Sequence, residues 1–335
     1  MSTFSFVWYN TENFYDTEDD PNTLDDDFTP KGINHWTNDR FEDKAEKLSY
    51  VIENIVAPNI PDIVGLAEIE NKSVVMNIID HLVATGSKSY SFVHYDSPDE
   101  RGIDIAMLYN TQTFRVLDSK PILVQLPGIE DRTRDILYVK GETKNYDIFH
   151  LFFAHCPSRR EGSDNSEHRR YFVASELKNA VDKVLYNDPS ALIFIMGDFN
   201  DTPDNHSIKE VLGARQTFDH PLPQQLYNLL APRSHKGMGS TYYKGWLLFD
   251  QIIVSGNVLL STHFSCSSVR YRRKWFSKKC CFQPISVAAP KMQIFLIRVF
   301  CSISTIADRR FPTAPTDTVM SVDTVIICLY IFAFR

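Results

Sequence analysis

The sequence predicts an α/β (α+β) fold in which two mixed sheets pack together with helices outside. Three observations predict it. Short apolar runs of strand length outnumber helical periodicities, helical segments are separated by several strands, and 335 residues at 43% hydrophobic content suffice for one large domain with a real core. A doubly wound parallel sheet would need strand and helix to alternate one to one, which this chain does not do.

The elements follow in order. Phe4–Tyr9 reads as a strand, and Asp16–Asp27 as an acidic, Pro-containing loop, either solvated or a rim that recruits cations. Arg40–Val56 repeats Phe41, Ala45, Leu48, Ile52 and Ile55 at a helical period, and Pro58 and Pro61 stop it. Asp62–Ala67 is a buried strand running into Glu68-Ile69-Glu70-Asn71. Ser73–Ala84 is a helix with Asn71 as N-cap and Gly86 just past its end. Ser91–Tyr95, Ile103–Tyr109, Phe114–Val124, Ile136–Lys140 and Tyr146–Ala154 read as strands. Ser166–Leu185 is a long helix, and Leu192–Met196 and Trp246–Val254 are further strands. No internal repeat or low-complexity tract is present.

Composition narrows the function classes. No window holds the roughly 18 apolar residues of a membrane span, and Thr324–Phe334 is too short. No basic region followed by an apolar core opens the chain, so a cytoplasmic location is the default expectation. No protein partner is evident. The net charge of −7 conceals an asymmetry: residues 261–335 carry +8 and residues 1–260 carry −15. Five of six cysteines lie in the last 75 residues, at spacings that match neither a zinc site nor a disulfide framework, and no Glu follows Glu210. The reading is a domain over 1–257 and an aberrant basic, Cys-rich tail over 258–335 that is expected to order poorly. An acidic body argues against nucleic-acid binding by charge alone. It fits a site where a cation bridges carboxylates and a phosphate.

The chemistry gathers at strand ends. Ala191–Met196 breaks into Gly197-Asp198-Phe199-Asn200-Asp201, placing a carboxylate and an amide at a sheet rim. That pair suits phosphate-ester hydrolysis, because the carboxylate can orient or deprotonate water and the amide can donate to a phosphoryl oxygen. A strand followed by an Asx turn is the ordinary alternative. Three other strands run into Asn10, Glu68 and His155. Oxygen ligands such as Asn10 and Glu68 suit a hard cation, Mg2+ or Mn2+. Ordinary structural readings stand beside each: a turn for Asn10, a helix-dipole partner for Glu68, a hydrogen-bonder for His155.

In that order, the motifs Trp8-Tyr9-Asn10, Asp62–Glu68, His155, Gly197–Asn200 and Phe249–Ser255 resemble the endonuclease/exonuclease/phosphatase superfamily, which is DNase I-like, throughout Phe4–Asn257. His155-Cys156-Pro157-Ser158-Arg159-Arg160 resembles bacterial members, which usually carry Trp in place of Cys156. The resemblance implies a four-layer α/β/β/α sandwich and a Mg2+- or Mn2+-dependent phosphoester hydrolase, with nucleic acid as the favoured substrate. It implies metal binding by Asn10 and Glu68, water activation by Asp198, and phosphate contacts from Asn200 and His155. Asp250 would hold a catalytic imidazole, and Arg159 and Arg160 would contact phosphate or substrate. A phosphatase acting on a lipid or nucleotide phosphate, or a non-catalytic binding protein that keeps the fold, are the alternatives.

One piece of the pattern is missing. The resemblance implies a late strand carrying Ser-Asp-His, but no Asp-His pair follows Asp250; Asp219-His220-Pro221 precedes it and reads as a loop decoy. Shifting the codon reading by two bases over Val322–Phe332 permits Gly-Tyr-Ser-Asp-His-Leu-Pro-Val-Tyr-Leu, and over Phe311–Thr316 it permits Pro-Tyr-Arg-Thr-Tyr. The expectation is a one- or two-base insertion or deletion after about Asn257 that leaves the tail out of frame. The activity of the chain as written is then expected to be weak.

Overall fold

Strands buried on both faces build the molecule from its first strand outward. In this computed structural model, residues 2–56, 59–84, 86, 89–126, 132–159 and 163–261 are described, with the backbone alone of 2–3, 163–165, 266–273, 295–301 and 325–332. The elements are β1 (Ser2–Phe14), α1 (Asn38–Ile55), β2 (Ile63–Ile69), α2 (Lys72–Ala84), β3 (Tyr90–His94), β4 (Asp104–Asn110), β5 (Phe114–Ile122), β6 (Ile136–Thr143) and β7 (Ile148–His155). There follow α3 (Ser163–Asn187), β8 (Leu192–Asp198), β9 (Leu226–Asn228), α4 (Ala231–Ser234), β10 (Thr241–Tyr242), β11 (Trp246–Leu247), β12 (Asp250–Ser255), α5 (Gly256–Leu260), β13 (Cys266–Arg273), β14 (Phe295–Cys301) and β15 (Val325–Phe332).

Two mixed sheets dominate. One has five strands in the order β15-β1-β2-β4-β3 and the other six in the order β5-β6-β7-β8-β12-β9. Successive strand residues face opposite sides, so each central strand feeds two cores. Phe6 and Trp8 of β1 meet Phe149 and Phe153 of β7 and Phe194 and Met196 of β8 between the sheets. The Phe6 and Phe194 rings stack at 4.6 Å, a contact worth about 0.5–1.5 kcal/mol beyond its area. Val7 and Tyr9, on the other face of β1, pack under Phe41, Leu48 and Ile52 of α1 and Ile78 and Leu82 of α2. Phe152 of β7 and Ile193 and Ile195 of β8 pack under Val173, Leu177 and Val181 of α3. The layers are thus helix, sheet, sheet, helix, as expected for a DNase I-like fold.

The expected caps form at α2: Asn71 Oδ1 accepts the backbone N–H groups of Ser73 and Val74 at 2.9 and 3.1 Å, and Gly86 has φ of 105°. Two expectations need correction. β1 continues past Tyr9 to Phe14, and Trp246–Val254 is two strands, β11 and β12, rather than one. The break has a cause: Ser240 Oγ accepts the N–H groups of Phe249 and Asp250 at 3.1 and 3.0 Å, which draws the chain out of the ladder. In the tail, β15 pairs parallel to β1, and β13 with β14 antiparallel. Among the described residues, no helix is long and apolar enough to cross a membrane.

Candidate active site

Strand register brings the polar side chains to one rim. β7 and β8 are parallel with His155 opposite Asp198, and β12 is antiparallel to β8 with Asp250 opposite Asp198. These three residues therefore stand on adjacent strands of the six-stranded sheet. In the other sheet, Asn10 pairs with Ala67, and the register of β2 against both β1 and β4 breaks at Glu68. Glu68 is the extra residue of a bulge, with φ of 62°. A bulge bends its strand and re-aims the side chain. Glu12 and Asn13 (φ 57° each) and Asn200 (φ 48°) are also left-handed. Each such residue costs on the order of 1–3 kcal/mol, and backbone strain of this kind clusters at functional sites.

The side chains then meet across the sheets. The Asn10 amide nitrogen donates to Glu68 Oε1 and to Asp198 Oδ2, both at 3.2 Å. His155 Nε2 lies 3.8 Å from Glu68 Oε1. The backbone N–H of Asn200 donates to Asp198 Oδ1 at 2.9 Å, and its side-chain nitrogen to the Cys156 carbonyl at 3.0 Å. All five residues are buried, none more than 8% exposed. The structure therefore brings Asn10, Glu68, His155, Asp198 and Asn200 together.

Asp250 stands beside them, and its Oδ1 accepts the Trp8 indole N–H at 2.9 Å. Arg159 clamps the loop after Asp198: its Nε donates to the Asn200 carbonyl at 2.6 Å and its Nη2 to Asp201 Oδ1 at 2.5 Å and Asn205 Oδ1 at 3.0 Å. Its guanidinium also stands 4.9 Å from the Phe249 ring centroid. Arg160 lies outside the described residues. Asp219 and His220 are exposed, as a loop decoy would be.

Several supporting residues escaped the sequence reading. Asn13 N–H donates to Glu68 Oε2 at 2.7 Å, and Thr11 Oγ1 donates to the Ala67 and Glu68 carbonyls at 2.8 and 3.0 Å. Lys44 Nζ donates to the Glu12 and Asn13 carbonyls at 2.7 and 3.2 Å, holding the left-handed pair in place. Burial lowers the Lys44 pKa to about 8. A signal existed: Lys44 lies three residues after Phe41 and four before Leu48, inside the apolar stripe of α1. Arg134 braces the His155 strand end, donating to the His155 and Cys156 carbonyls at 3.1 and 3.2 Å and pairing with Asp99 at 2.6 Å. Burial pushes the Cys156 thiol pKa up, so it stays protonated and unreactive.

The donor set fits a hard cation. Glu68 and Asp198 are buried carboxylates that reach the same amide. Like charges brought this close in a buried site are costly unless a cation or a proton compensates them. Oxygen donors of this kind suit Mg2+ or Mn2+.

A family model described as the Endonuclease/Exonuclease/phosphatase family matches residues 5–283. The chain belongs to the endonuclease/exonuclease/phosphatase family. Members of this family are phosphoester hydrolases and generally depend on a divalent metal. Among solved structures, truncated Caenorhabditis elegans TDP2 is similar at 18% identity and a TM-score of 0.50, covering 73% of this chain and 87% of that one. The endonuclease/exonuclease/phosphatase from Bacteroides vulgatus is 15% identical with a TM-score of 0.49, covering 75% and 86%. The human Nocturnin catalytic domain is 18% identical with a TM-score of 0.45, covering 64% and 74%. At 18% identity the likeness to the TDP2 structure is one of fold. No curated protein matches the chain.

Proposed function

We propose that residues 1–257 form a divalent-metal-dependent phosphodiesterase acting on nucleic acid, and that the chain as written works far below full rate. The observation that carries the reading is the single Asn10 amide shared by Glu68 and Asp198, with His155 alongside. Glu68 would hold a Mg2+ or Mn2+ ion together with Asn10, whose amide must turn its Oδ1 from the Glu12 N–H toward the ion, and the bound ion would neutralise charge on the phosphoryl oxygens. Asp198 orients and deprotonates the attacking water. Its Oδ2 accepts the Asn10 amide and its Oδ1 the Asn200 backbone N–H, which fixes the carboxylate's orientation. His155 and the second amide hydrogen of Asn200 donate to the phosphoryl oxygens, pre-aimed by burial. Asp250, held by Trp8, would position the catalytic imidazole of the missing Asp-His pair.

A basic cavity of about 210 Å³ supports a polyanionic substrate. Arg101, Arg132, Arg134 and Arg169 line it together with Asp99 and Glu100, and it opens beside Pro157 and Ser158, just past His155. The impairment rests on the missing Asp-His pair after Asp250. Loss of a general acid or base costs about 10²–10⁴ in rate. A one- or two-base frame change after about Asn257 accounts for the basic, Glu-free tail.

The test compares the chain as written with a frame-restored chain, on bis-p-nitrophenyl phosphate and plasmid DNA, with Mg2+ or Mn2+ and with EDTA. The reading predicts EDTA-sensitive turnover on both substrates after restoration, about 10²–10⁴ above the chain as written. Turnover of lipid or nucleotide monoesters alone would move the substrate class. A folded, restored chain inert on every phosphoester would favour a binding protein that keeps the fold.

A further inference from the structure

We propose a separate metal site, for Zn2+ or a similar first-row ion, formed by His94, Asp96 and Asp104 where β3 hands over to β4. His94 ends β3, Asp104 begins β4, and Asp96 lies in the connection between them. The His94 and Asp104 side chains are only 3% and 4% exposed. His94 Nε2 is buried and makes no hydrogen bond. Its nearest charged neighbour, Asp104 Oδ2, lies at 3.4 Å, an ion-pair distance without hydrogen-bond alignment. Leaving such a nitrogen unsatisfied costs about 1–3 kcal/mol.

The spacing matches a shared ion. Two ligands on a tetrahedral Zn2+, each about 2.0–2.2 Å from the metal, stand about 3.3–3.6 Å apart. One ligand atom from each of the three residues falls within 4.8 Å of the others, although Asp96 Oδ1 now stands on the far side of the ring, 3.8 Å from His94 Nδ1, and must move to share an ion at Nε2. Asp96 is 88% exposed, so it can swing in from solvent as the third ligand. The site is also supported from outside. Asp104 Oδ1 accepts the Ser97 N–H at 2.9 Å and the Ser97 hydroxyl, which turns Oδ2 toward His94. Partners of this kind fix ligand orientation in metal sites. The imidazole nitrogen favours Zn2+ over Mg2+ or Ca2+. No ligand is shared with Asn10, Glu68 or Asp198.

The ion would clip both ends of the 95–103 connection. That connection already carries Asp99, the partner of Arg134, and Arg134 donates to the His155 carbonyl. The Tyr15 hydroxyl donates to the Arg101 carbonyl at 3.0 Å, and Leu24 N–H to the Glu100 carbonyl at 2.8 Å. Asp104 pairs with Ile69, the residue after Glu68. A clip here stiffens the wall behind the candidate catalytic histidine.

The test dialyses the full chain against EDTA, restores excess Mg2+ and titrates ZnCl2, reading calorimetry and melting temperature. Co2+ in place of Zn2+ adds a visible spectrum whose intensity reports coordination geometry and its change in His94→Gln. We expect Zn2+ to bind and raise the melting temperature. Asp96→Asn and His94→Gln should each weaken binding at least tenfold, while Glu68→Gln leaves it unchanged. Asp96→Asn, at an exposed position, keeps the test valid if His94→Gln fails to fold. Absence of Zn2+ binding, binding indifferent to Asp96→Asn, or binding lost in Glu68→Gln would each overturn the site.

Discussion

Replacing Gly65 by alanine places a methyl group between the two sheets, against Phe153 and Trp8. A Cβ built there lies 2.6 Å from both Cδ1 and Cε1 of Phe153 and 2.8 Å from Cε3 of Trp8. Ordinary carbon–carbon contacts are about 3.5–4.0 Å, so the overlap is close to an ångström on two sides. Neither neighbour can yield outward: both are fully buried and their rings stack at 6.3 Å. The sheets must part or the rings must leave their rotamers, at a cost of about 1–3 kcal/mol. At about 2–4 °C per kcal/mol for a large domain, the melting temperature should fall by roughly 2–12 °C. Trp8 also donates to Asp250, so the displacement should lower turnover beyond the stability loss. Urea and thermal melts followed by circular dichroism measure the first effect, and kcat on bis-p-nitrophenyl phosphate in the frame-restored chain measures the second. An alanine variant as stable as the parent would refute the close packing between Trp8 and Phe153.

Three further outcomes follow from single contacts. Burial, and then Lys140, lower the His150 pKa to about 4. Between about pH 6.5 and 4 the unfolded chain takes up this proton and the folded chain does not, so stability falls with acidification across that window. With solvent screening the loss is about 2 kcal/mol; His150→Gln should flatten stability against pH by that amount, and an unchanged slope would contradict it. Asn71→Ala removes the cap of α2 and should cost about 0.5–2 kcal/mol in urea melts. Arg134→Leu removes the closer partner of buried Asp99, leaving Arg101 Nε at 3.5 Å, and should cost about 3 kcal/mol, with activity falling as the His155 strand end loosens.

Much of this was legible because the informative residues end apolar runs. Phe152-Phe153-Ala154 and Ile193–Met196 could only be buried strands, so His155 and Asp198 had to stand at their ends. The parallel pairing that sets them side by side is not written in either run. Glu68 was visible as a strand-end acid, but its left-handed bulge depends on pairing with both β1 and β4, which no local pattern encodes. Lys44 drew no reading from the sequence; the carbonyls of Glu12 and Asn13 and the Phe14 and Trp36 rings explain its place in the apolar stripe. Arg159 was readable as a phosphate contact; its engagement with Asn200, Asp201 and Asn205 depends on where a distant loop lies. The His94–Asp104 corner stayed hidden because its members are ten residues apart and join only through the β3–β4 pairing.

The most direct measurement is the Mg2+ dependence of bis-p-nitrophenyl phosphate turnover in the frame-restored chain and two variants. Glu68→Gln should move half-saturation to Mg2+ concentrations at least about tenfold higher. Asp198→Asn should keep the Mg2+ curve near its place and cut kcat by about 10²–10⁴. Both variants turning over substrate like the parent, at the same Mg2+ concentrations, would contradict a catalytic centre shared by the two sheets.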